Sequence, residues 1–174
     1  MTLHEDLAAE GEPEVEFHKG IAARLPRKRV ASGALVRNTG GYILMMETPY
    51  KPMWEIPGGV AEENEPPLAT CRREIREELG IDLPIGDLLV IDWVPRQGVW
   101  SDAVLYIFDG GVITPEQIDA IDAQPDEVTA IKFVTLAEAC EHVRPSMARR
   151  LGAAVLALQR GRTINLEFGR PTSG

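Results

Sequence analysis

The feature that most constrains this chain is a set of three carboxylates on one predicted helix. Glu74, Glu77 and Glu78 stand at relative positions that make them neighbours on a single helical face. Like charges at this spacing destabilise a helix unless water or a cation offsets their repulsion. Hard divalent cations such as Mg²⁺ prefer oxygen ligands. The spacing alone therefore leaves two interpretations open, a solvated acidic face and a metal site.

The opposite side of the same predicted helix is apolar, and it carries Leu68, Cys71, Ile75 and Leu79 at helical spacing. The helix is predicted over residues 65–79, with prolines in its first turn and Gly80 at its end. The run Pro57-Gly58-Gly59 leads into it through a loop, where glycine lets the backbone approach a ligand closely. The apolar side would anchor the helix while the acidic side borders a cleft.

The remaining pattern predicts an α+β fold. Strands are predicted at residues 30–36, 42–47, 54–56, 88–94, 103–108, 128–134 and 163–168, with turns at 38–41 and 109–111. Further helices are predicted at residues 115–121, 136–143 and 146–159. Strands and helices mix without a regular β-α-β alternation, which favours a mixed sheet covered by helices over a doubly wound sheet.

The length of 174 residues fits one domain with extended ends. Residues 1–27 are polar and are predicted to form a mobile N-terminal arm. Residues 28–160 would form the domain, and residues 161–174 a C-terminal tail that includes the short last strand. Asp82, Asp87 and Asp92 follow no metal-loop pattern and are predicted to lie on a solvated surface.

The composition limits the partners and the compartment. A net charge of −9 disfavours stable nucleic-acid binding but is compatible with a small phosphorylated ligand held through metal ions. The N-terminus has no apolar signal core, and no apolar run is long enough to cross a membrane. The two cysteines are then expected to be reduced thiols of a cytoplasmic protein. A homodimer is compatible with the sequence.

Residues 59–81 also carry a longer pattern of fixed letters and gaps. It reads glycine, five residues, glutamate, seven residues, arginine-glutamate, an apolar residue, any residue, two glutamates, any residue, glycine and an apolar residue. The positions are Gly59, Glu65, Arg73, Glu74, Ile75, Glu77, Glu78, Gly80 and Ile81. Together with the preceding Trp-Glu-Ile-Pro-Gly-Gly run, this pattern resembles the signature of the Nudix hydrolase family, the MutT-like pyrophosphohydrolases.

The resemblance implies a fold and a reaction. The fold is the family's α/β/α sandwich with a mixed sheet, over about residues 28–143. The reaction is Mg²⁺-dependent hydrolysis, with Mn²⁺ as an alternative, of the pyrophosphate linkage of a nucleoside diphosphate derivative. Nucleoside triphosphates and nucleotide sugars such as ADP-ribose both remain open, because the signature serves the diphosphate that they share.

The resemblance also implies roles for residues of the box. Glu77 and Glu78 would be the main metal ligands, with Glu74 adding a ligand or acting on the attacking water. The backbone carbonyl of Gly58 is a further candidate ligand. Arg73 would orient the neighbouring Glu74.

Two more residues of the box, Glu65 and Gly59, would support the junction between loop and helix rather than bind the metal.

Residues outside the box complete the predicted site. Family members often recruit a base or ligand from another loop, and the candidates here are Glu116, Asp126 and Glu127. We favour Glu127 because it directly precedes the strand at 128–134, although an ordinary polar turn residue would look the same. Trp54 is predicted to stack on a base, with packing in or over the core as the alternative. Tyr50 is predicted to border the substrate pocket, with loop packing as the alternative.

A second hypothesis is a catalytically weak Nudix-fold module that binds a nucleotide and regulates another process. Such a module would tolerate loss of the metal carboxylates, and this chain keeps all of them. An enzyme acting on RNA ends is disfavoured by the net charge of −9.

Overall fold

The computed structural model describes residues 2–12 and 14–172, and within them a nine-stranded mixed sheet forms the centre of the molecule. The strands are β1 (Arg29–Asn38), β2 (Ile43–Thr48), β3 (Lys51–Glu55), β4 (Gly58–Val60), β5 (Leu88–Val94), β6 (Ala103–Ile113), β7 (Ala130–Val134), β8 (Ile164–Glu167) and β9 (Arg170–Pro171). The helices are α1 (Leu3–Ala9), α2 (Ile21–Arg24), α3 (Pro67–Leu79), α4 (Pro115–Asp119), α5 (Leu136–His142) and α6 (Pro145–Arg160).

The strands follow the order β3-β2-β1-β6-β5-β8-β9, with β4 paired to β1 and β7 paired to β2. The pairs β1–β6 and β5–β8 are parallel, and the other pairs are antiparallel. A sheet of this kind, with helices on both sides, confirms the predicted α+β sandwich.

Two hydrophobic cores lie on opposite faces of the sheet. On the face that we call the α3 face, Cys71, Ile75 and Leu79 of the helix pack against Ala34 and Val36 of β1. On the other, the α6 face, α5 and α6 pack against alternate residues of the same strands. The principal buried members there are Leu35, Met45, Ile107, Leu151, Ala154 and Ala157. Successive residues of β1 thus contribute to the two cores in turn, and the packing of α3 confirms its predicted apolar stripe.

Helix α3 begins two residues later than predicted. Pro66 is its N-cap residue, with an extended backbone at φ −67° and ψ 147°, and Pro67 is the first helical residue. The reason is steric, because a residue before proline is driven out of the helical region. The end was predicted well, since Gly80 adopts a left-handed conformation with φ 67° and its N–H donates to the Arg76 carbonyl.

The predicted turn at residues 109–111 is wrong, because β6 continues through it to Ile113. Leu35 pairs with Asp109 and Arg37 with Val112, so β6 carries one extra residue there. Gly111, at φ 75°, supplies the left-handed conformation that such a bulge uses. The two glycines therefore bend a long strand instead of ending a short one.

The glycine loop before α3 also contains a strand that the sequence did not predict. Strand β4 pairs antiparallel with β1, with Gly58 opposite Gly33 and Gly59 opposite Ser32. Gly58 has φ 143°, and a Cβ there would overlap the backbone of Ser32 and Gly33. Only glycine permits this close approach, and it holds the loop firmly on the sheet.

Smaller differences concern the ends of elements. The third strand spans residues 51–55 rather than 54–56, the helix after β6 ends at Asp119, and the strand predicted from residue 128 begins at Ala130. Asp92 is fully buried, which corrects the predicted solvated surface at that position.

The two ends of the chain differ in how they join the domain. The predicted last strand is present as β8, which pairs with β5 and continues into the hairpin strand β9. The predicted arm contains α1 and α2, and its mobility stays a prediction. Met1 and Pro13 of the arm and residues 173–174 of the tail lie outside the described residues. None of the helices in the described ranges has the length and hydropathy needed to span a membrane.

Candidate active site

The guanidinium of Arg73 lies at the centre of the acidic face of α3. Its Nε and Nη2 donate to the two carboxylate oxygens of Glu65, each at 2.9 Å. Its Nη1 donates to Glu74 at 2.9 Å and to Glu77 at 2.8 Å, and Nη2 also reaches the Val60 carbonyl at 3.1 Å. These contacts raise the pKa of Arg73 above its usual value. One cation therefore offsets much of the repulsion that the sequence pattern implied.

Glu65 fastens the loop to the start of α3. Besides the two bonds from Arg73, its Oε2 accepts hydrogen bonds from the backbone N–H of Glu62 at 3.0 Å and from the Thr70 hydroxyl at 2.9 Å. The hydrogen bonds from Arg73, above all, lower the pKa of Glu65 to about 2. The residue therefore lies at the junction where the sequence placed it.

Glu78 is the buried carboxylate of the cluster, with 6% of the residue exposed. The backbone N–H of Gly58 donates to its Oε2 at 2.7 Å. Burial raises the pKa of Glu78 to about 8, and the negative charges of Glu74, Glu127 and Glu55 act in the same direction. A carboxylate held in this state would gain considerably from a nearby cation.

Glu74 lies between Arg73 and the glycine strand. A Cβ on Gly59 would overlap the Glu74 carboxyl group, so the glycine leaves the space that this side chain occupies. Burial raises the pKa of Glu74, although Arg73 opposes the shift. Glu77 differs from both neighbours, because its side chain is 51% exposed and borders solvent. The exposure of the three carboxylates thus increases along one face of α3, from the buried Glu78 to the exposed Glu77.

Of the three acidic residues predicted outside the box, Glu127 is the one whose charge contributes to the raised pKa values of Glu74 and Glu78. Glu116 lies on the short helix α4, where a hydrogen bond with Thr114 lowers its pKa. Asp126 is an exposed residue of the same turn as Glu127. The role of Glu127 as a base or ligand stays a prediction.

The cluster has the donor chemistry for a divalent cation but not the geometry of a formed site. Among the residues that the structure describes, no three His, Cys, Asp or Glu side chains converge closely enough to hold a metal ion. Arg73 holds Glu74 and Glu77, while Glu78 turns to the Gly58 N–H. The donors are nevertheless all hard oxygens on one face, which suits Mg²⁺ or Mn²⁺ once Arg73 gives up its carboxylate contacts. The predicted carbonyl ligand at Gly58 stays a prediction.

A cavity of about 290 Å³ adjoins the glycine strand on the α6 face. Its floor is formed by Ala31 and Gly33 of β1 with Leu105 and Ile107 of β6, and the small residues leave the space open. Gly58 and Gly59 line one part of the cavity. These two glycines also adjoin the carboxylates of α3, which lie on the opposite face of the sheet. Strand β3 and the first turns of α6 form the walls.

Trp54 lines this cavity, but its ring already has partners. It stacks on His142 with centroids 4.0 Å apart and planes 10° apart, and the Lys132 ammonium lies 4.6 Å from the ring centroid. A base stacking on Trp54 would compete with these contacts. Tyr50 is exposed and does not line the cavity, and its role at the substrate pocket stays a prediction.

Sequence reasoning missed three residues around the site. Glu55 lines the cavity and adds to the raised pKa of Glu78. Ser32, 3% exposed, shares the α3 face with Ala34, and its hydroxyl has no partner among the described residues. Arg150 is a buried cation of α6 that lines the cavity. Glu55 belongs to the run before the glycines and could have been noticed, whereas Ser32 and Arg150 belong to no local pattern.

Comparison with known proteins identifies the family of this chain. The family model described as the NUDIX domain matches residues 27–157. A MutT-like protein from Streptomyces ambofaciens is 27% identical over 126 residues, which cover 72% of this chain and 76% of that protein.

Solved structures show the same fold. The NUDIX domain of Shewanella oneidensis NrtR complexed with ADP ribose matches with a TM-score of 0.64 and 17% identity, over 91% of this chain and 99% of that one. A UDP-X diphosphatase matches with a TM-score of 0.63 and 15% identity, over 95% of this chain and 76% of that one. At these identities the likeness concerns the fold alone.

Since the family model covers most of its length, the chain belongs to the NUDIX family. It is a Nudix pyrophosphohydrolase, as the box at residues 59–81 predicted.

Proposed function

We propose that this enzyme uses Mg²⁺, or alternatively Mn²⁺, to hydrolyse the pyrophosphate linkage of a nucleoside diphosphate derivative. The substrate would be a nucleoside triphosphate or a nucleotide sugar such as ADP-ribose. The observation that carries the proposal is the buried carboxylate of Glu78, whose pKa is raised to about 8 beside the glycine strand. A buried acid of this kind has a clear use as a ligand for a cation and little use for stability.

Glu77 and Glu78 would be the main ligands of the cation, with Glu74 adding a ligand or acting on the attacking water and the Gly58 carbonyl as a further oxygen. When bound, the cation would offset the charge of the diphosphate and lower the pKa of the attacking water. Arg73 would hold Glu74 and Glu77 apart from Glu78 until then, and its remaining bonds to Glu65 and Val60 would keep it in place.

A carboxylate of this chain would accept the proton of the attacking water. The water oxygen forms a bond to phosphorus while the bond from that phosphorus to the bridging oxygen breaks. Glu74 suits the role because burial raises its pKa above the usual value, which makes the carboxylate a stronger base. Glu127 is the alternative from outside the box, because it lies near enough to influence the same group.

The nucleoside part would enter the cavity next to Gly58 and Gly59, with Trp54 in its wall. This placement puts the diphosphate beside the carboxylates and leaves the rest of the substrate on the α6 face. Nucleotide sugars belong among the candidates because the fold resembles that of a UDP-X diphosphatase and of a NUDIX domain complexed with ADP ribose.

The direct test is a panel of nucleoside triphosphates and nucleotide sugars, incubated with the purified protein and Mg²⁺ or Mn²⁺. We expect release of a nucleoside monophosphate, or of phosphate or pyrophosphate, that stops when the metal is chelated. Glu77→Gln should reduce turnover about 100-fold or more, since it removes a metal ligand while the exposed position keeps the fold intact.

The matched control is Glu63→Gln, which makes the same charge change at an exposed position between the glycine strand and α3. It should keep full activity. Full metal-dependent activity in Glu77→Gln would show that the ligands are assigned wrongly. If no member of the panel were hydrolysed but nucleotides still bound, the nucleotide-binding regulatory module would replace the enzyme.

A further inference from the structure

Arg150 is a buried cation that the hydrolytic chemistry does not use. Only 5% of the residue is exposed, and its Nε donates to the carboxylate of Asp92, which is 0% exposed. A buried ion pair usually adds little net stability compared with apolar residues of the same size. Packing alone therefore gives no reason for an arginine at the point where α6 meets the sheet.

The position of Arg150 is fixed by elements from distant parts of the chain. Asp92 lies on β5, and its second oxygen accepts the backbone N–H of Gly169 at 3.0 Å. Gly169 belongs to the turn between β8 and β9, so the C-terminal hairpin holds the aspartate in place. The Ser146 hydroxyl accepts a hydrogen bond from Arg150 Nη1 at 3.4 Å. The guanidinium is thus oriented in advance, as a recognition group requires.

Arg150 lines the same cavity as the glycine strand. Gly58, whose N–H contacts Glu78, lines the cavity together with Arg150, Met147 and Leu105. A substrate whose diphosphate lies beside the glycines would extend the rest of its structure into this space. The group that meets Arg150 is therefore a part of the substrate other than the diphosphate.

The chemistry of that group follows from the donor set and the charge. A guanidinium has N–H donors only, and no hydrogen bond among the described residues uses its Nη2. Asp92 already balances its positive charge, so the pair favours a neutral acceptor over an additional anion. Leu105, Ile107 and Met147 offer apolar contacts to a flat ring. A ring carbonyl oxygen meets all of these conditions.

We propose that Arg150 determines base specificity by donating a hydrogen bond to the ring carbonyl of an oxo-substituted nucleobase. The proposal rests on the proposed function for the placement of the diphosphate. Asp92 and Gly169 act through Arg150 and are positioning residues. The expected substrates carry hypoxanthine, guanine or uracil rather than adenine.

The test measures binding of nucleoside monophosphates by calorimetry, without hydrolysis. IMP and AMP form one matched pair, since IMP carries a carbonyl at ring position 6 where AMP carries an amino group. UMP and CMP form the corresponding pyrimidine pair. The wild-type protein should bind the oxo member of at least one pair about tenfold or more tightly than its amino counterpart, the size of one charge-assisted hydrogen bond.

Arg150→Lys keeps a cation for Asp92 but removes the planar guanidinium and its additional N–H donors. It should weaken binding of the oxo member roughly tenfold to a hundredfold and leave the amino member unchanged. Arg160→Lys, an exposed position of the same helix, is the matched control and should change neither. If Arg150→Lys unfolds, the double variant Asp92→Asn, Arg150→Met removes both charges together, fills the space and keeps an acceptor for the Gly169 N–H.

Equal binding within both pairs, or equal loss of both members in the variant, would overturn the assignment. Separate hydrolysis assays keep the two proposals apart. If nothing is hydrolysed but the oxo preference depends on Arg150, the proposed function fails and this inference stands. If metal-dependent hydrolysis occurs without any preference that Arg150→Lys removes, the inference fails and the function stands.

Discussion

The two faces of the sheet hold charged groups in different ways. On the α3 face, one arginine holds Glu65, Glu74 and Glu77, and the buried Glu78 has only a backbone N–H to stabilise its charge. On the α6 face, Arg150 and Asp92 form a balanced pair beside a cavity. The α3 face thus carries an excess of negative charge that a metal could offset, whereas the Arg150–Asp92 pair on the α6 face is neutral as a whole. This difference is the basis of our two proposals, which place the reaction on the α3 face and base recognition on the α6 face.

The roles of the two faces are separated most clearly by a substitution in β4, the strand that borders both the carboxylates and the cavity. Gly59→Ala places a Cβ against the Glu74 carboxyl group, the mobile end of a side chain, so Glu74 moves while the fold persists. We expect kcat to fall roughly tenfold to a hundredfold, with little change in KM or in melting temperature. Steady-state kinetics and thermal unfolding measure both quantities.

The matched variant is Gly58→Ala, in which the new Cβ meets the backbone of β1 and the residue keeps φ 143°. It should lower stability by about 1–3 kcal/mol, the usual cost of a strained backbone. The division between the faces would be broken if Gly59→Ala abolished nucleoside monophosphate binding while leaving kcat intact.

A smaller effect concerns the stability that Glu65 contributes at the start of α3, which depends on pH. The hydrogen bonds from Arg73 lower the pKa of Glu65 from its ordinary value of 4.5 to about 2 in the folded protein. Its contribution to stability is therefore fully present above pH 4.5 and is lost as the pH falls through about 2. Glu65→Gln should unfold at a lower temperature than the wild type at pH 7, and the difference should shrink between pH 4.5 and 2.

Thermal unfolding across this pH range measures the effect, with Glu63→Gln as the control for the loss of one surface charge. A constant difference between Glu65→Gln and the wild type at every pH would mean that the Arg73 pairing does not stabilise the loop. Binding of nucleoside monophosphates at pH 7 should be the same in both, since the cavity lies on the other face.

The difference between the two faces also explains which parts of the candidate site could be predicted from the sequence. Glu74, Glu77 and Glu78 lie on one helix, so helical spacing places them on one face without any knowledge of the tertiary fold. The roles of Gly59, Glu65 and Arg73 were added only through the resemblance of the segment to the family signature. The apolar stripe of α3 was predicted from the same helical spacing. Even there, the pairing of β4 with β1 was missed, because three residues with two glycines show no alternation.

Recognition on the α6 face could not be predicted, because its residues come together only in the folded sheet. Asp92 was expected on a solvated surface, yet β5 is covered by α6 and flanked by β8. Arg150 stands within a helix whose pattern indicates packing and nothing more. Only the pairing of β8 with β5 brings the turn at Gly169 to the carboxylate that orients the arginine.

The most direct test of the account is Mn²⁺ binding to the wild type, Glu78→Gln and Glu63→Gln, followed by electron paramagnetic resonance between pH 6 and 9. Because the pKa of Glu78 is raised to about 8, binding must displace a proton below that pH, and affinity in the wild type should rise by up to about tenfold per pH unit before levelling off. Glu78→Gln should bind at least about tenfold more weakly and without this rise, while Glu63→Gln follows the wild type. Equal affinity and equal pH dependence in Glu78→Gln and the wild type would contradict the assignment of the α3 face as the metal site.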